Sequence, residues 1–166
     1  MRIFSRLVLL AVVVVAGGWL WTMLFPSPEK VIRQRLAEIA RLASFNTNEN
    51  PLAALGHAQK LASFCSPTLQ VKLAALANVE HAFENREEIA QADLAARAAF
   101  GGVLKVEFLD VLLTLAPDKQ SAVANLTARM QSGGSSDLNA QEIKFTLTKT
   151  DGQWLVTRVE TIRTFN

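Results

Sequence analysis

The fold is decided by GGVLKVEFLDVLLTLAPDKQSAVANLTARMQSG, residues 101–133, because the spacing of apolar residues changes inside this stretch. Upstream of Gly101-Gly102 the apolar residues recur every three or four positions, which is typical of helices. Downstream they recur at every second position, which is typical of strands. Ala116-Pro117-Asp118-Lys119 interrupts the alternation with the composition of a type I turn, so we predict strands at about 103–115 and 120–131.

Two further strands are predicted at about 139–149 and 153–164. Between them, Asp151-Gly152 has the composition of a two-residue hairpin turn. A loop rich in glycine and serine, residues 132–136, separates the second strand from the third. Four consecutive strands joined in this way predict an antiparallel sheet in the C-terminal part of the chain.

Three helices are predicted before this sheet, at 28–44, 51–64 and 85–100. Each begins with a residue whose side chain can cap the first turn, followed by proline or glutamate. These start signals are Ser27-Pro28-Glu29, Asn50-Pro51 and Asn85-Arg86-Glu87-Glu88. Apolar residues at helical spacing predict the buried side of the third helix, namely Ile89, Ala92, Ala96 and Phe100.

Two short strands, at about 69–73 and 79–83, are predicted between the second and third helices, because apolar and polar residues alternate there. Cys65 follows an apolar stretch and is predicted to lie in the core. Helices gathered before an antiparallel sheet indicate the α+β class. A sheet covered by helices on one face leaves a hollow between the two layers, where we expect a small hydrophobic ligand to bind if there is one.

The first 25 residues have the composition of a membrane-spanning segment. Leu7 to Phe25 are uncharged, and as a helix they would extend about 28 Å, close to the thickness of the hydrocarbon core. Arg2 and Arg6 precede this run, which places the N-terminus in the cytoplasm. We therefore expect a transmembrane anchor at 1–26 and a domain at 27–166.

A cleaved signal peptide is the competing interpretation, with cleavage after Gly18. Trp19 and Trp21 favour the anchor, because they continue the apolar run and aromatic residues suit the outer membrane interface. Either interpretation exports the domain. The expected location is the inner (cytoplasmic) membrane, crossed once, with the domain on the periplasmic side.

The composition excludes several classes of function. Arg2 and Arg6 are the charged residues before position 26, so the remainder has 15 basic and 15 acidic residues and no net charge. A nucleic-acid-binding domain would have a basic surface, so this class is excluded. A single cysteine forms no intramolecular disulfide, and His57 and His81 are too far apart for a metal motif. The sequence has no phosphate-binding or cofactor motif, so we expect neither a metal nor a cofactor.

The order of two helices, a short hairpin, a third helix and four antiparallel strands resembles the nuclear transport factor 2-like superfamily, which includes ketosteroid isomerase and the SnoaL-like polyketide cyclases. The resemblance covers residues 28–166. It is carried by Phe83-Glu84-Asn85-Arg86-Glu87-Glu88-Ile89, by the long strand ending at Ala116-Pro117-Asp118-Lys119 and by the hairpin Asp151-Gly152-Gln153-Trp154-Leu155-Val156. It implies three helices packed on a curved sheet, a cone-shaped, cystatin-like roll that commonly dimerises through the sheet.

The resemblance also implies an active site in the hollow for those members that are enzymes, usually with an Asp or His base and often with a Tyr. This sequence has no tyrosine, which departs from the ketosteroid isomerase arrangement. Asp110 lies among apolar neighbours, an environment that would raise the pKa of a carboxyl group and suit it to act as a base. The alternative is that Asp110 follows a bulge and faces outward. His81, between Val79 and Phe83, is a candidate base or a core histidine.

Three residues of the last strand are candidates for binding a ligand. Arg158 and Glu160 share the face of Trp154 if the strand alternates regularly. In the hollow they would orient an anionic or polar ligand. On the surface they would form an ion pair of little energetic weight.

Two functions are compatible with these patterns. One is a membrane-tethered binding or assembly domain without catalytic activity, for which the periplasmic inner-membrane component of type IV secretion systems is a precedent in the superfamily. The alternative is a SnoaL-like enzyme, an isomerase, cyclase or hydrolase, acting on a small hydrophobic substrate with Asp110 and His81 as acid–base groups. Facing titratable groups in the hollow favour the enzyme, and an apolar, filled hollow favours the binding domain.

A homodimer through the sheet is also expected. Leu109, Val111 and Leu113 alternate with Phe108 and Leu112, so both faces of this strand would be apolar. The helices can cover one face, and an uncovered apolar face usually marks an interface.

Overall fold

The computed structural model describes residues 26–73, 79–100, 102–133 and 138–162. The predicted anchor, residues 7–25, lies outside them. Within the described ranges, no helix is both long and apolar enough to cross a membrane. The anchor therefore stays a prediction from the sequence.

Three α-helices form where their start signals predicted them. The Ser27 Oγ accepts a hydrogen bond from the Lys30 amide at 3.3 Å, and the Asn85 Oδ1 accepts one from the Glu88 amide at 2.9 Å. The Glu88 carboxylate accepts in turn from the Glu84 amide at 2.9 Å, so this helix start is held from both sides. The helices are α1 (Pro28–Ala43), α2 (Pro51–Ser63) and α3 (Arg86–Phe100).

Six strands form one sheet in the order β2-β1-β6-β5-β4-β3, so β2 and β3 are its two edges. The β3–β4 and β5–β6 hairpins turn at the predicted positions. The strands are β1 (Cys65–Leu73), β2 (Val79–Ala82), β3 (Leu104–Leu115), β4 (Ser121–Ser132), β5 (Leu138–Thr150) and β6 (Gln153–Thr161). The α+β class is confirmed, with three helices on a six-stranded sheet.

The sheet is mixed, and the prediction of an antiparallel sheet was wrong for one pair of strands. β1 runs parallel to β6, with Cys65 opposite Val156 and Gln70 opposite Arg158. β1 also begins earlier than predicted and contains Pro67, at an irregularity in the pairing where a residue without an N–H is tolerated. Alternation along a strand does not reveal the direction of its neighbour, so the parallel pair left no signal in the sequence.

The helices pack on one face of the sheet and fill the space above it. Ile32 and Leu36 of α1 belong to one apolar cluster with Leu147, Trp154 and Val156 of the sheet. All five side chains are at most 2% exposed. Removal of this apolar surface from water is the main force that holds the two layers together.

The packed side of α3 differs from the prediction. Ile89 is buried as expected, and Ala90 beside it is buried as well. The other predicted members of the stripe are exposed: Ala92, Ala96 and Phe100. Asp93 and Arg97 occupy the packed side instead, each with a side chain no more than 14% exposed.

Arg97 is the centre of an ionic cluster between α3 and the loop after α1. Its guanidinium donates to the Glu49 Oε2 at 2.6 Å and to the Asp93 Oδ2 at 2.7 Å. It also donates to the Leu42 carbonyl, and it lies 5.1 Å from the centroid of the Phe45 ring. A cation with this many partners can be nearly buried without large cost.

A bulge in β3 reverses which side chains face the helices. The pairing passes from Leu109 opposite Thr127 to Leu112 opposite Asn125, so β3 has one extra residue there. Asp110 lies in the bulge with a φ of 52°.

The bulge corrects the argument for an apolar outer face. Val111 and Leu113 pack against the core together with Phe108. Leu109 and Leu112 lie on the opposite face, 38% and 65% exposed. The expectation that Leu109, Val111 and Leu113 share one face was wrong, because one inserted residue shifts every later side chain to the other face.

Candidate functional site

Among the described residues, the centre of the hollow between the helices and the sheet is packed with apolar side chains. The buried residues that line it are apolar, and the ionic groups nearest to full burial lie around Arg97, outside the hollow. Trp154, a predicted pocket residue, is 2% exposed and belongs to this core. Burial raises the pKa of the Cys65 thiol to about 12, so this sulfur stays protonated and is not an active nucleophile near neutral pH.

His81 and Asp110 lie at opposite edges of the sheet. His81 is on β2, opposite Val71, with an exposed ring 4.6 Å from the ring of Phe83 in an edge-to-face contact. Asp110 is on β3, with an exposed side chain. With neighbouring strands about 4.8 Å apart, five spacings separate the two by roughly 24 Å along the sheet. The structure therefore does not bring them together.

Arg158 and Glu160 lie on the face of the sheet away from the helices. The pairing passes from Leu147 opposite Val156 to Thr146 opposite Arg158, so β6 contains an extra residue. Placing Arg158 and Glu160 on the face of Trp154 was therefore wrong, because this bulge reverses the alternation.

Ionic contacts hold these two side chains on that outer face. The Arg158 Nε lies 3.3 Å from the Glu160 Oε1, and the Lys144 Nζ lies 3.4 Å from the Glu160 Oε2. Trp154 is turned the other way, and its carbonyl accepts a hydrogen bond from Arg35. The three candidates of the last strand thus form no common site.

The positive φ of Asp110 predicts which residues can replace it without loss of stability. Glycine adopts this conformation freely, asparagine tolerates it, and a β-branched residue is strained. We expect Asp110→Gly and Asp110→Asn to leave the stability unchanged or slightly higher, and Asp110→Val to lower the free energy of unfolding by about 1–2 kcal/mol. Urea unfolding of the detergent-solubilised chain, followed by circular dichroism, measures both. Equal stability of the valine and glycine variants would show that the backbone here is not constrained.

At the β3 edge of the hollow, a groove with a mixed lining reaches down to the core residue Leu36. It lies between α1 and the edge strand β3, with a volume of about 430 Å³, which is in the range of ligand sites. On the α1 side, Ala37 and Ala40 lie between Arg33 and Arg41. On the β3 side the groove is lined by residues 106–109 and 111.

Glu107 lines this groove, and Glu38 lies beside it, bonded to the lining residue Arg41. Each of the two carboxylates is held by two cations. Hydrogen bonds from Lys105 and Arg129 lower the pKa of Glu107 to about 2. Those from Arg41 and Lys60 likewise lower the pKa of Glu38 to about 2. A carboxylate with so low a pKa accepts a proton only weakly near neutral pH, so neither group suits the role of a general base. The groove therefore combines a basic rim with carboxylates that are already paired with cations.

Two further concave surfaces lie elsewhere among the described residues. One, of about 560 Å³, lies between α2 and α3 and includes Leu55 and Leu94. The other, of about 220 Å³, is lined by His81 and Arg158 among others, but the pairing places the His81 side chain with Val71 and the Arg158 side chain on the opposite face. In the described part of the chain, no three His, Cys, Asp or Glu side chains form a cluster that could hold a metal ion.

The α1–β3 groove was missed by the sequence reasoning, although one signal was available. Arg33, Ala37 and Arg41 are spaced by four, which places them along one side of a helix. That side lies next to the apolar side that packs on the core. The pattern alone does not indicate that an edge strand forms the second wall.

No protein-family model and no curated protein sequence matches the chain. Solved structures do match it. A nuclear transport factor 2-like protein with a cystatin-like fold from Novosphingobium aromaticivorans superposes with a TM-score of 0.60 at 16% identity, over 89% of this chain and 86% of that one. The chain has the nuclear transport factor 2-like fold.

The nuclear transport factor 2-like fold occurs in structures of different kinds. A candidate scytalone dehydratase from the same bacterium matches with a TM-score of 0.57 at 14% identity, over 82% of this chain and 84% of that one. The yeast Ubp3-associated protein Bre5 matches with a TM-score of 0.61 at 14% identity, over 84% of this chain and 100% of that one. At such identities the likeness concerns the fold alone, and function has to be argued from the surfaces of this chain.

Proposed function

We propose that the chain is a membrane-tethered, extracytoplasmic binding or assembly domain without catalytic activity. The observation that supports this most is the apolar packing at the centre of the hollow. Trp154, Leu147 and Val156 are at most 2% exposed there and belong to one apolar cluster. The groove with a basic rim between α1 and β3 offers a binding surface in its place.

The alternative, a SnoaL-like enzyme, is not supported by the positions of its two acid–base residues. Asp110 and His81 are on the two edge strands, and both side chains are exposed. General acid–base catalysis requires both groups within hydrogen-bonding reach of one substrate. A separation of roughly 24 Å along the sheet is too large for that.

The tether is argued from the sequence. Leu7 to Phe25 are long enough to span a bilayer, and Arg2 and Arg6 orient the N-terminus toward the cytoplasm. α1 begins at Pro28, only three positions after the apolar run, so the domain would sit directly on the periplasmic surface of the inner membrane. A homodimer would have its partner beside it in the same plane, where tethering raises the local concentration.

One sample tests these proposals together: the full chain, expressed in a bacterium and extracted from membranes with detergent. Its intact mass should correspond to a chain that retains residues 7–25, whereas a chain beginning at Trp19 would disprove the anchor. Light scattering corrected for detergent gives the oligomeric state. A monomer at micromolar concentration would argue against a dimer through the outer sheet face, which now presents Leu109 and Leu112.

The packing of the hollow is tested on the same sample with a small apolar probe, indole. Because the described side chains at the centre of the hollow pack against one another, we expect no saturable effect of indole on the thermal unfolding of the wild-type chain. Leu147→Ala is the positive control, since it opens an apolar cavity of the kind that binds such molecules. Saturable stabilisation of the wild type by indole would contradict the proposal and favour a carrier or an enzyme.

A further inference from the structure

The edge of β3 is covered at two points, one on each side of the α1–β3 groove. At one end, Leu104 and Phe45 exchange two backbone hydrogen bonds of 2.9 Å, and the Ser44 Oγ accepts from the Val106 amide at 3.0 Å. At the other end, the Arg33 guanidinium donates to the Val111 carbonyl at 3.0 Å. Backbone N–H and C=O groups that lie uncovered between these two contacts are available for pairing with another chain.

Phe108 is the residue between these two contacts whose backbone faces outward. In this antiparallel pair, Leu104 and Val106 turn their amides away from β4, as their contacts with Phe45 and Ser44 show. Orientation alternates along the strand, so the N–H and C=O of Phe108 point the same way, into the groove. In the described part of the chain, no group outside the sheet bonds to either of them.

We propose that this groove binds a short, extended and acidic peptide segment of a partner protein, which pairs with the backbone of Phe108 as an added strand. The proposal rests on the proposed function, since it names the partner of a binding domain. Such strand addition gives affinity through main-chain hydrogen bonds and specificity through the side chains next to the new strand.

The charges around the groove indicate an acidic partner. Arg33 and Arg41 are eight residues apart on α1, about 12 Å along the helix axis. Arg33 uses one N–H for Val111, and Arg41 uses two for Glu38, so each of these five-donor groups retains donors for a carboxylate. Glu107 is already held by two other cations. Glu38 offsets part of the charge of Arg41, so Arg33, which bonds to a carbonyl oxygen, contributes most of the positive charge.

The shape of the groove indicates an extended chain with one apolar side chain. Ala37 and Ala40 carry a single methyl group each, which leaves space between α1 and β3. Phe108 and Val111 supply an apolar wall on the strand side. A lipid acyl chain would fit the apolar wall, but it would leave the N–H and the C=O of Phe108 without partners; a peptide satisfies both.

The test uses the full chain in detergent, labelled with ¹⁵N-phenylalanine, and follows the Phe108 amide by NMR during titration with the acetylated and amidated peptide DVTVD. We expect a saturable shift of this amide and protection of it from hydrogen exchange. Two peptides serve as controls: KVTVK, which reverses the charge, and DVTVD methylated on the nitrogen of its threonine, which cannot donate there. Each should bind at least about tenfold more weakly, since each removes one of the two recognition elements.

Variants of exposed residues on α1 locate the site. Ala37→Leu fills the groove and should abolish binding of DVTVD, while Gln34→Leu, the same size of side chain on an adjacent exposed position outside the groove, should not. Arg33→Glu should weaken the binding of DVTVD and strengthen the binding of KVTVK. Lys30→Glu, an equal change of charge outside the groove, should alter the binding of either peptide only slightly.

Three results would overturn the proposal: no saturable shift with DVTVD, equal binding by the Ala37→Leu variant, or equal binding of the N-methylated peptide. A shift of Phe108 with phosphatidylglycerol vesicles but not with DVTVD would likewise overturn it and assign the groove to lipid. None of these results concerns the hollow. Failure of the proposed function is recognised separately, by saturable binding of indole to the wild-type chain.

Discussion

Replacing Arg97 by methionine is expected to lower the free energy of unfolding by about 3–5 kcal/mol, because it leaves two nearly buried carboxylates without the guanidinium. Asp93 then loses its cation, and Glu49 keeps only its contact of 2.6 Å with the His57 Nδ1. Glu49 and Asp93 are 15% and 14% exposed, so water cannot fully replace the guanidinium. Urea unfolding of the detergent-solubilised chain, followed by circular dichroism, measures the effect. Arg41→Met is the matched control; it breaks an exposed pair with Glu38 and should change the stability little.

A combined variant separates charge from packing at this position. Arg97→Met together with Glu49→Gln and Asp93→Leu removes both carboxylates along with their cation. We expect this chain to recover most of the lost stability, since buried ionic clusters can often be replaced by uncharged groups of similar volume. If it is as unstable as Arg97→Met alone, then the packing of the arginine on Phe45 is the main contribution, and the account based on unpaired charge is wrong.

The second large effect is expected from Leu147→Ala. Leu147 is 0% exposed at the centre of the apolar cluster, so its truncation should cost about 2–5 kcal/mol through lost transfer energy and the cavity that remains. Leu112→Ala makes the same chemical change at a position 65% exposed, where we expect a change within about 0.5 kcal/mol. Comparable costs for the two variants would mean that the hollow is not the core of the domain.

The starts of the helices and the positions of the hairpin turns were predicted correctly from short sequence signals. The capping residues Ser27, Asn50 and Asn85 each accept the hydrogen bond expected of them. The turn residues after β3 and β5 also set the hairpins at the predicted places. These signals are local, acting over three or four residues, and therefore they survive without knowledge of the tertiary structure.

Side-chain direction was predicted less well, because a single inserted residue reverses it. Extra residues in β3 and β6 moved Val111 to the helix side and Arg158 to the outer face. Asp110 is the one local hint, since aspartate tolerates a positive φ better than most residues. Without a known pairing partner, however, a bulge cannot be told from a regular strand with apolar residues on both sides.

Burial of charge is the second reason that the sequence reasoning failed. The packed side of α3 carries Asp93 and Arg97, while periodicity assigned that side to Ala92 and Ala96. Hydrophobic periodicity assumes that charges face water, and it fails where ions find partners from another segment. The candidate site failed for a related reason: Asp110 and His81 were each plausible alone, but only the strand order shows that they are on opposite edges.

The position of β6 has a consequence for how the chain folds. β6 is synthesised after the other five strands, yet it lies between β1 and β5 and bonds to both. Its pairing with β1 joins residues roughly ninety positions apart, a non-local contact that slows folding. Until β6 arrives, the nascent chain consists of two partial sheets with open edges, which can pair with other chains. We therefore expect protection of these two edges during synthesis to raise the yield of folded protein.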